Sequence, residues 1–311
     1  MIDLFMPFRA FLKFENVCTD NNIFRMHYKV TVIMLLVFTL LVTSKQFFGE
    51  PIHCMGDSEK DSDKDAINSY CWIYGTYTLK SRINGVEGVH MAYPGVGPNK
   101  SDDDEQIKHT YYQWVCFVLL GQAVMFYIPR YLWKIWEGGR LKALASDLSS
   151  PLVIKDWSEF RRGELISYLS YTNIHTHNLY ALRYVFCEIL NLVNVVGQIF
   201  LLDVFLGGAF RDYGAAVTAF TPRVAPDITD SAPVNPMDQF FPKLTKCRFR
   251  NYGPSGTLQF KDRLCVLPLN IVNEKIFVIL WFWLIILALV STLSVMFRIL
   301  VLSLRPLRSI M

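Results

Sequence analysis

The chain has 311 residues, of which 52% are hydrophobic and only 19% charged, with a formal net charge of +4. That is too apolar for an ordinary soluble domain and the opposite of a disordered chain. The basic residues are scattered, which argues against nucleic acid as a partner.

The first predicted element is the N-terminal segment, residues 1–28. "MIDLFMPFRAFLKF" places Leu4, Phe8, Phe11 and Leu12 near one another on a helical face, with Pro7 limiting any helix through it. Beside a membrane span, such a segment lies flat on a leaflet or folds into a channel vestibule, and the residues alone leave both open. It lacks a small-residue cleavage site, so the apolar run that follows is expected to stay as the membrane-entry signal.

Four spans are predicted, at residues 29–48, 111–135, 180–206 and 271–304. A bilayer core of about 30 Å needs about 20 apolar residues as helix. "VTVIMLLVFTLLVTS" lies between Lys29 and Lys45, no charge falls between Tyr111 and Ile128, and none between Ile276 and Phe297. A soluble bundle would show polar residues every third or fourth position, and these three runs do not. In the second span Pro129 removes a backbone hydrogen bond and predicts a kink. Trp133 and Trp136 mark its inner interface, and Gly138-Gly139 its stop. The third span differs, because Glu188, Asn191, Asn194 and Gln198 advance by 3, 3 and 4 residues and share about a third of the circumference. Two readings stay open for that stripe: hydrogen bonds to other helices of a bundle, or a wall facing water.

An even number of spans puts both termini on one side. Arg25, Lys29, Arg130, Lys134, Arg140, Lys142, Arg161, Arg162, Arg298, Arg305 and Arg308 favour termini inside, against Lys45, Lys108, Arg211 and Lys275. Cysteine agrees. Cys54 and Cys71 fall in residues 49–110, Cys247 and Cys265 in residues 207–270, and none in the loop 136–179. Pairs confined to same-side loops suit disulfides in an oxidising compartment, and their spacing does not suit zinc. The sequon Asn99-Lys100-Ser101 is usable for N-glycosylation only if the first loop is outside. That loop holds eleven carboxylates against six Lys/Arg, the other eight Lys/Arg against five acids. Both exceed ordinary loop lengths, which implies a folded cap. Stretches such as "CWIYGTYTL" suit a small sheet. The aromatic head of the second span, Tyr111, Tyr112, Gln113 and Trp114, reads as a belt at the outer membrane face, with Gln113 free to bond the base of the cap.

Catalytic signals are weak. His175 and His177, at i and i+2, share no helix face and have no clustered carboxylates to complete a ligand set. No G-x-S-x-G, H-E-x-x-H or P-loop occurs, and no metal, cofactor or chemical step is expected.

The stretch "TYYQWVCFVLLGQAVMFYIPRYLWKIWEGGRL" resembles the innexins, the gap-junction proteins of invertebrates, which are related to the pannexins. So do "DNNIFRMHYKVTV", "GEPIHC", "INSYCWIYGTYT", "FPKLTKCRFRNYGPSG" and "LCVLPLNIVNEKIFVILWFW". Two cysteines in each long loop separate the pattern from connexins, which carry three. The resemblance implies an all-α membrane protein with four transmembrane helices, a disulfide-bonded extracellular cap containing a small β-sheet, and a partial helical cytoplasmic region. It implies a homo-oligomeric or mixed-innexin hemichannel in the plasma membrane, of eight subunits with six as the alternative. Such hemichannels dock across cells as a gap junction and pass ions and small solutes. It further implies the bridges Cys54–Cys265 and Cys71–Cys247, and an N-terminal pore funnel of Met1, Ile2, Asp3, Leu4, Phe5 and Arg9. Innexins continue past the fourth span into a helical cytoplasmic domain. This sequence ends at Met311, so the properties of that region are not carried over.

Two other classes compete. A non-conducting four-span adhesion or scaffold protein shares the architecture, but the Cys-Cys-Gly of tetraspanins and the paired Trp/Cys loop signature of claudins do not occur. A membrane enzyme would have to rest on His175 and His177.

Overall fold

The computed structural model describes residues 19–55, 61–83, 91, 93–98, 105–141, 163, 166, 174–220 and 235–303. Among them, four helices are long and apolar enough to cross a membrane: Asn22–Phe48, Val115–Glu137, His177–Phe205 and Pro268–Val301. The protein is mostly helical, with one small antiparallel sheet in the region between the spans.

The first span, α1 (Asn22–Phe48), begins seven residues before the predicted span at 29–48 does. Asn21 caps it, its side-chain oxygen accepting from the Phe24 amide at 2.6 Å. The polar turn that follows stays helical because it is packed, not solvated: Phe24, His27 and Thr31 are all buried. Met26–Thr31 is wound as π-helix, and the Thr31 hydroxyl donates to the Met26 carbonyl across the widened turn.

In the first long loop, β1 (His53–Cys54) precedes helix α2 (Asp61–Tyr74), β2 (Thr76–Leu79) and β3 (Gln106–His109). The stretch "CWIYGTYTL", read as strand, divides at Gly75. Cys71 to Tyr74 finish α2, and Gly75, at φ +83°, turns the chain into β2. The second span likewise begins later than its aromatic head: Tyr111–Gln113 is a 3₁₀ turn, and α3 runs from Val115 to Glu137. Pro129 lies inside α3, and Gly138 and Gly139, both at positive φ, follow its end. There the Glu137 carboxylate accepts from the amides of Gly139 and Leu141.

Helix α4 (Ile174–Phe205) is followed by a Gly207-Gly208 turn and α5 (Phe210–Ala219). Asp203 fixes that turn by accepting from the Arg211 amide at 3.1 Å and from Arg211 Nε at 2.8 Å. After the short α6 (Pro236–Phe240) come β4 (Leu244–Tyr252), β5 (Leu258–Val266) and the long α7 (Pro268–Ser303). β4 and β5 pair over their whole length, from Leu244↔Val266 to Tyr252↔Leu258. The sheet order is β1-β5-β4-β2-β3, so strands of the two loops interleave.

The chain forms two compact units. One holds the described residues within Met1–Leu36, Gly121–Gln198 and Ile285–Met311; the other holds those within Val37–Leu120 and Ile199–Leu284. The first has a core of Phe24, Trp133 and Cys187, with Tyr28, Trp136, Tyr180 and Tyr184 packed on it. Trp133, read as an interface marker, is instead fully buried, its ring about 5 Å from those of Tyr180 and Tyr184. The second unit is held by aromatic contacts among Tyr111, Phe210, Tyr213, Phe241 and Phe277 and by the sheet. Phe117, Leu120, Val124, Ile128, Tyr131 and Ile135 leave an exposed apolar stripe along α3, which suits a lipid or subunit contact rather than water.

Gly214 in α5 is a packing requirement. A Cβ there would lie 2.1 Å from Cδ2 of Trp281, whose indole is tethered by donating to the Arg211 carbonyl at 3.0 Å. Gly214→Ala is therefore expected to destabilise the second unit by about 1–3 kcal/mol, the usual range for overpacking. Adding Trp281→Leu should restore part of the loss in a thermal melt; equal melting of Gly214→Ala and the parent protein would contradict the contact.

Candidate functional site

Three constellations carry most of the polar chemistry of the described residues. In the first unit the stripe on α4 meets partners from α1 and α7. Glu188, 6% exposed, accepts from Asn21 Nδ2 at 2.7 Å, from Arg298 Nε at 3.0 Å and from Arg298 Nη2 at 3.3 Å. Arg298 also stacks over the ring of Tyr184 at 5.3 Å, and Tyr184 accepts from the Asn21 amide. Beside them Asp20 and Arg130 form a buried ion pair at 2.7 Å, and Asp20 accepts from the Tyr28 hydroxyl. A charge removed from water survives only when paired and hydrogen-bonded, and both carboxylates are. Further along α4, Gln198 Nε2 donates to Asn194 Oδ1 at 3.3 Å. Glu188, Asn191 and Gln198 are buried and Asn194 is half-buried, so at Glu188 the stripe makes interhelical hydrogen bonds.

In the second unit Cys54 is bonded to Cys265 and Cys71 to Cys247. The first bridge joins residues directly opposite each other in β1 and β5, and the second ties α2 to β4. Three of these sulfurs, those of Cys54, Cys71 and Cys265, lie within 4.8 Å of one another. As bridged sulfurs they are not thiolate ligands, so their closeness is not a metal set. Gln113 Nε2 donates to the Trp72 carbonyl at the end of α2. Tyr112 is fully buried against Trp72, and burial pushes its phenol up to about 12, with Thr76 working the other way. Tyr111 is half-buried against Phe241, and burial likewise holds its phenol well above the usual value. Of the three aromatics read as a membrane belt, only Trp114 is mostly exposed, at 60%. The 3₁₀ turn carries Tyr112 into the protein core and leaves Tyr111 half-buried.

A third cluster joins the two loops to the head of α7. Lys243 Nζ lies 2.9 Å from Asp238 Oδ1 and 3.2 Å from Glu274 Oε2. Burial opposes the Lys243 ammonium, but the two carboxylates outweigh it and hold its pKa above the ordinary lysine value. Tyr93, from the first loop, has its phenol raised by burial and by the neighbouring Asp238. Sequence spacing carries no signal for this cluster, nor for Asp20–Arg130, because each partner lies on a different element.

His109, 7% exposed, bonds the Thr78 hydroxyl through Nε2 at 2.8 Å, and burial pushes its pKa down to about 4. Between that value and the ordinary 6.5 the unfolded chain binds more protons than the folded one, so stability falls as pH falls. The contribution is whole above pH 6.5 and amounts to about 3 kcal/mol at most. Replacement by Gln should flatten the melting temperature between pH 6.5 and 4.5 relative to the parent protein; parallel curves would refute a neutral buried His109.

The funnel residues Met1, Ile2, Asp3, Leu4, Phe5 and Arg9, the sequon Asn99 and the side chain of His175 lie outside the described residues. His177 lies on α4 and is half-buried.

Comparison with known proteins agrees with this architecture. The family model for innexins matches residues 20–311. Innexin inx2 of Schistocerca americana is 51% identical over 298 residues, covering 96% of this chain and 80% of that protein. Innexin inx2 of Drosophila melanogaster is 51% identical over 303 residues, 97% of this chain and 80% of its own. Innexin shaking-B of the same fly is 42% identical over 301 residues, 97% and 79%. With four candidate spans and a cap cross-linked by two disulfides, the chain belongs to the innexins, a family of gap-junction channel subunits and not of enzymes.

Proposed function

We propose that the chain is one subunit of a hemichannel of eight copies, with six as the alternative count, around a central aqueous pore. Two hemichannels on neighbouring cells dock through their caps and pass ions and small solutes by diffusion. The observation that carries this reading is the cap itself. Both loops enter one five-stranded sheet and are joined by two disulfides, giving each subunit a rigid surface at one end of its spans. A tether between cells needs no such rigidity, whereas a sealed pore between two membranes does. In this reading residues 49–110 and 207–270 face outside, while residues 1–28, 136–179 and 305–311 are cytoplasmic. Tyr111, Tyr112, Gln113 and Trp114 anchor the second span to the cap.

The N-terminal residues Met1, Ile2, Asp3, Leu4, Phe5 and Arg9 form the funnel, with the first span behind them. A wide pore needs no ion-dehydrating filter, so selectivity comes from width and lining charge. Asp3, repeated in every subunit, gives a ring of negative charge. Asp3→Lys is expected to shift the reversal potential in a salt gradient from cation towards anion preference; an unchanged potential counts against the funnel. Dye transfer between paired expressing cells tests the whole reading. Cells that adhere without transfer would establish the adhesion alternative, and particle images of the purified oligomer would give the subunit number.

A further inference from the structure

The β4–β5 hairpin outruns the sheet that holds it. β2 meets β4 at Tyr77↔Lys246, and β1 meets β5 at Cys54↔Cys265 and His53↔Val266, so beyond those pairs the ribbon is two strands wide. A two-stranded ribbon is marginal in water unless a face is covered. Residues opposite each other in an antiparallel pair share a face, and so do alternate residues along a strand. Cys247 and Phe249 therefore lie on one face, which α2 covers through the Cys71–Cys247 bridge and the edge contact of Tyr70 on Phe249. The other face carries the pairs Arg248↔Asp262, Arg250↔Phe260 and Tyr252↔Leu258. Tyr252, Leu258 and Phe260 are exposed there, with the guanidinium groups of Arg248 and Arg250 over the Phe260 ring at 5.7 and 6.0 Å. Large apolar side chains grouped on an uncovered ribbon mark a contact surface.

Helix α2 presents a second surface, on the opposite side of the same ribbon. Ile67 and Cys71 are buried, whereas Asp65, Ser69 and Ile73, at four-residue steps, form an exposed stripe on another side of the helix. Tyr74 is exposed next to Ile73. Beside the stripe lies a recess of about 240 Å³, lined by Asp65, Ser69 and Trp72 of α2 and by Glu50, Pro51 and Ile52 before β1. Glu50 meets His53 Nε2 at 2.6 Å, which leaves Asp65 as the open carboxylate of the recess. On the hairpin, Asp262 lies 3.4 Å from Lys246 and 3.6 Å from Arg248, which leaves Arg250 as the open cation. The hairpin face thus offers apolar groups and positive charge, the α2 face apolar groups and negative charge. The ribbon itself stands between them, so they can meet only between copies. We propose that in the assembled ring the hairpin face of each subunit packs on the α2 face of the next, with Tyr252, Leu258 and Phe260 against Ile73 and Tyr74, and Arg250 directed to Asp65. The inference rests on the ring of copies proposed above. Two unlike surfaces on opposite sides of one cap make a head-to-tail contact, the kind that closes a ring, whereas a self-complementary surface stops at a dimer.

Cross-linking of hemichannels purified from cells kept apart tests the pairing. A chain carrying Ile73→Cys with Leu258→Cys, treated with a short bismaleimide, should give a ladder of dimer, trimer and higher species on a denaturing gel. Each single variant should give no more than the parent protein, because a head-to-tail contact brings together one residue of each kind. Dimers from Leu258→Cys alone, formed only when expressing cells touch, would set the hairpin against an opposing hemichannel and overturn the proposal. Absence of a ladder from the double variant would overturn it too. A lysine-reactive linker on the parent protein separates this failure from that of the ring: a full ladder there leaves the ring standing with its faces misassigned, and monomer alone removes the ring itself.

Discussion

The Cys71→Ser/Cys247→Ser variant is expected to lose junctional dye transfer and to melt well below the parent protein. The bridge closes a loop of 176 residues. For a free chain of that length the entropy model assigns about 5 kcal/mol to the cross-link. Spans held in a bilayer already restrict the unfolded state, so the expected loss is about 2–5 kcal/mol. The remaining contacts between α2, β2 and β4 cannot replace it. β2 and β4 share the register pair Tyr77↔Lys246, and α2 meets β4 through the edge contact of Tyr70 on Phe249. Both cysteines are changed together because a lone Cys71 thiol would lie beside the Cys54–Cys265 bridge and could attack it. Parent-like melting and transfer would show that β5 and the Cys54–Cys265 bridge hold the cap unaided.

Arg298→Met is expected to be strongly destabilising. It leaves the Glu188 carboxylate, 6% exposed, with Asn21 Nδ2 but without its guanidinium partner. Removing one member of a buried pair costs about 3–5 kcal/mol, mostly through the charge left behind. Arg298 is itself partly exposed, which places the expectation at the lower end. Replacing Glu188 by Gln in the same chain removes that charge and should recover more than half of the loss in melting temperature. If the two losses simply add, the pair is not coupled and Glu188 is satisfied by other means. The expected coupling also implies that the start of α1, through Asn21, is held to α4 by the same carboxylate.

Much of the fold was legible in the residues because a bilayer imposes a coarse rule. Runs near twenty apolar residues such as Ile276 to Phe297 have no other stable use, and they emerge as the spans. Boundaries were less legible. Hydropathy does not show that the polar turn from Asn22 to Lys29 is helical, since its helix is kept by burial of Phe24 and His27 and by the Asn21 cap. The β-branched and aromatic content of "CWIYGTYTL" suggested strand throughout, yet Cys71 is placed on α2 so that its sulfur reaches Cys247 in β4. The stripe from Glu188 to Gln198 was visible as a periodicity, but its partners were not.

The sequence by itself determined the spans, the cap with two cysteines from each loop, and the family pattern, all of which follow from local composition and short motifs. The tertiary structure alone decided that Glu188 pairs with Arg298 and Asn21, that Lys243 sits between Asp238 and Glu274, and that Gly214 leaves room for Trp281. The aromatic head of the second span shows the division within five residues: Trp114 faces outward as its type suggests, whereas Tyr112 is buried against Trp72. The physical reason is range. Solvent preference is a property of each segment, but which buried polar group meets which depends on separate elements, 110 residues apart for Glu188 and Arg298, being packed before the contact exists.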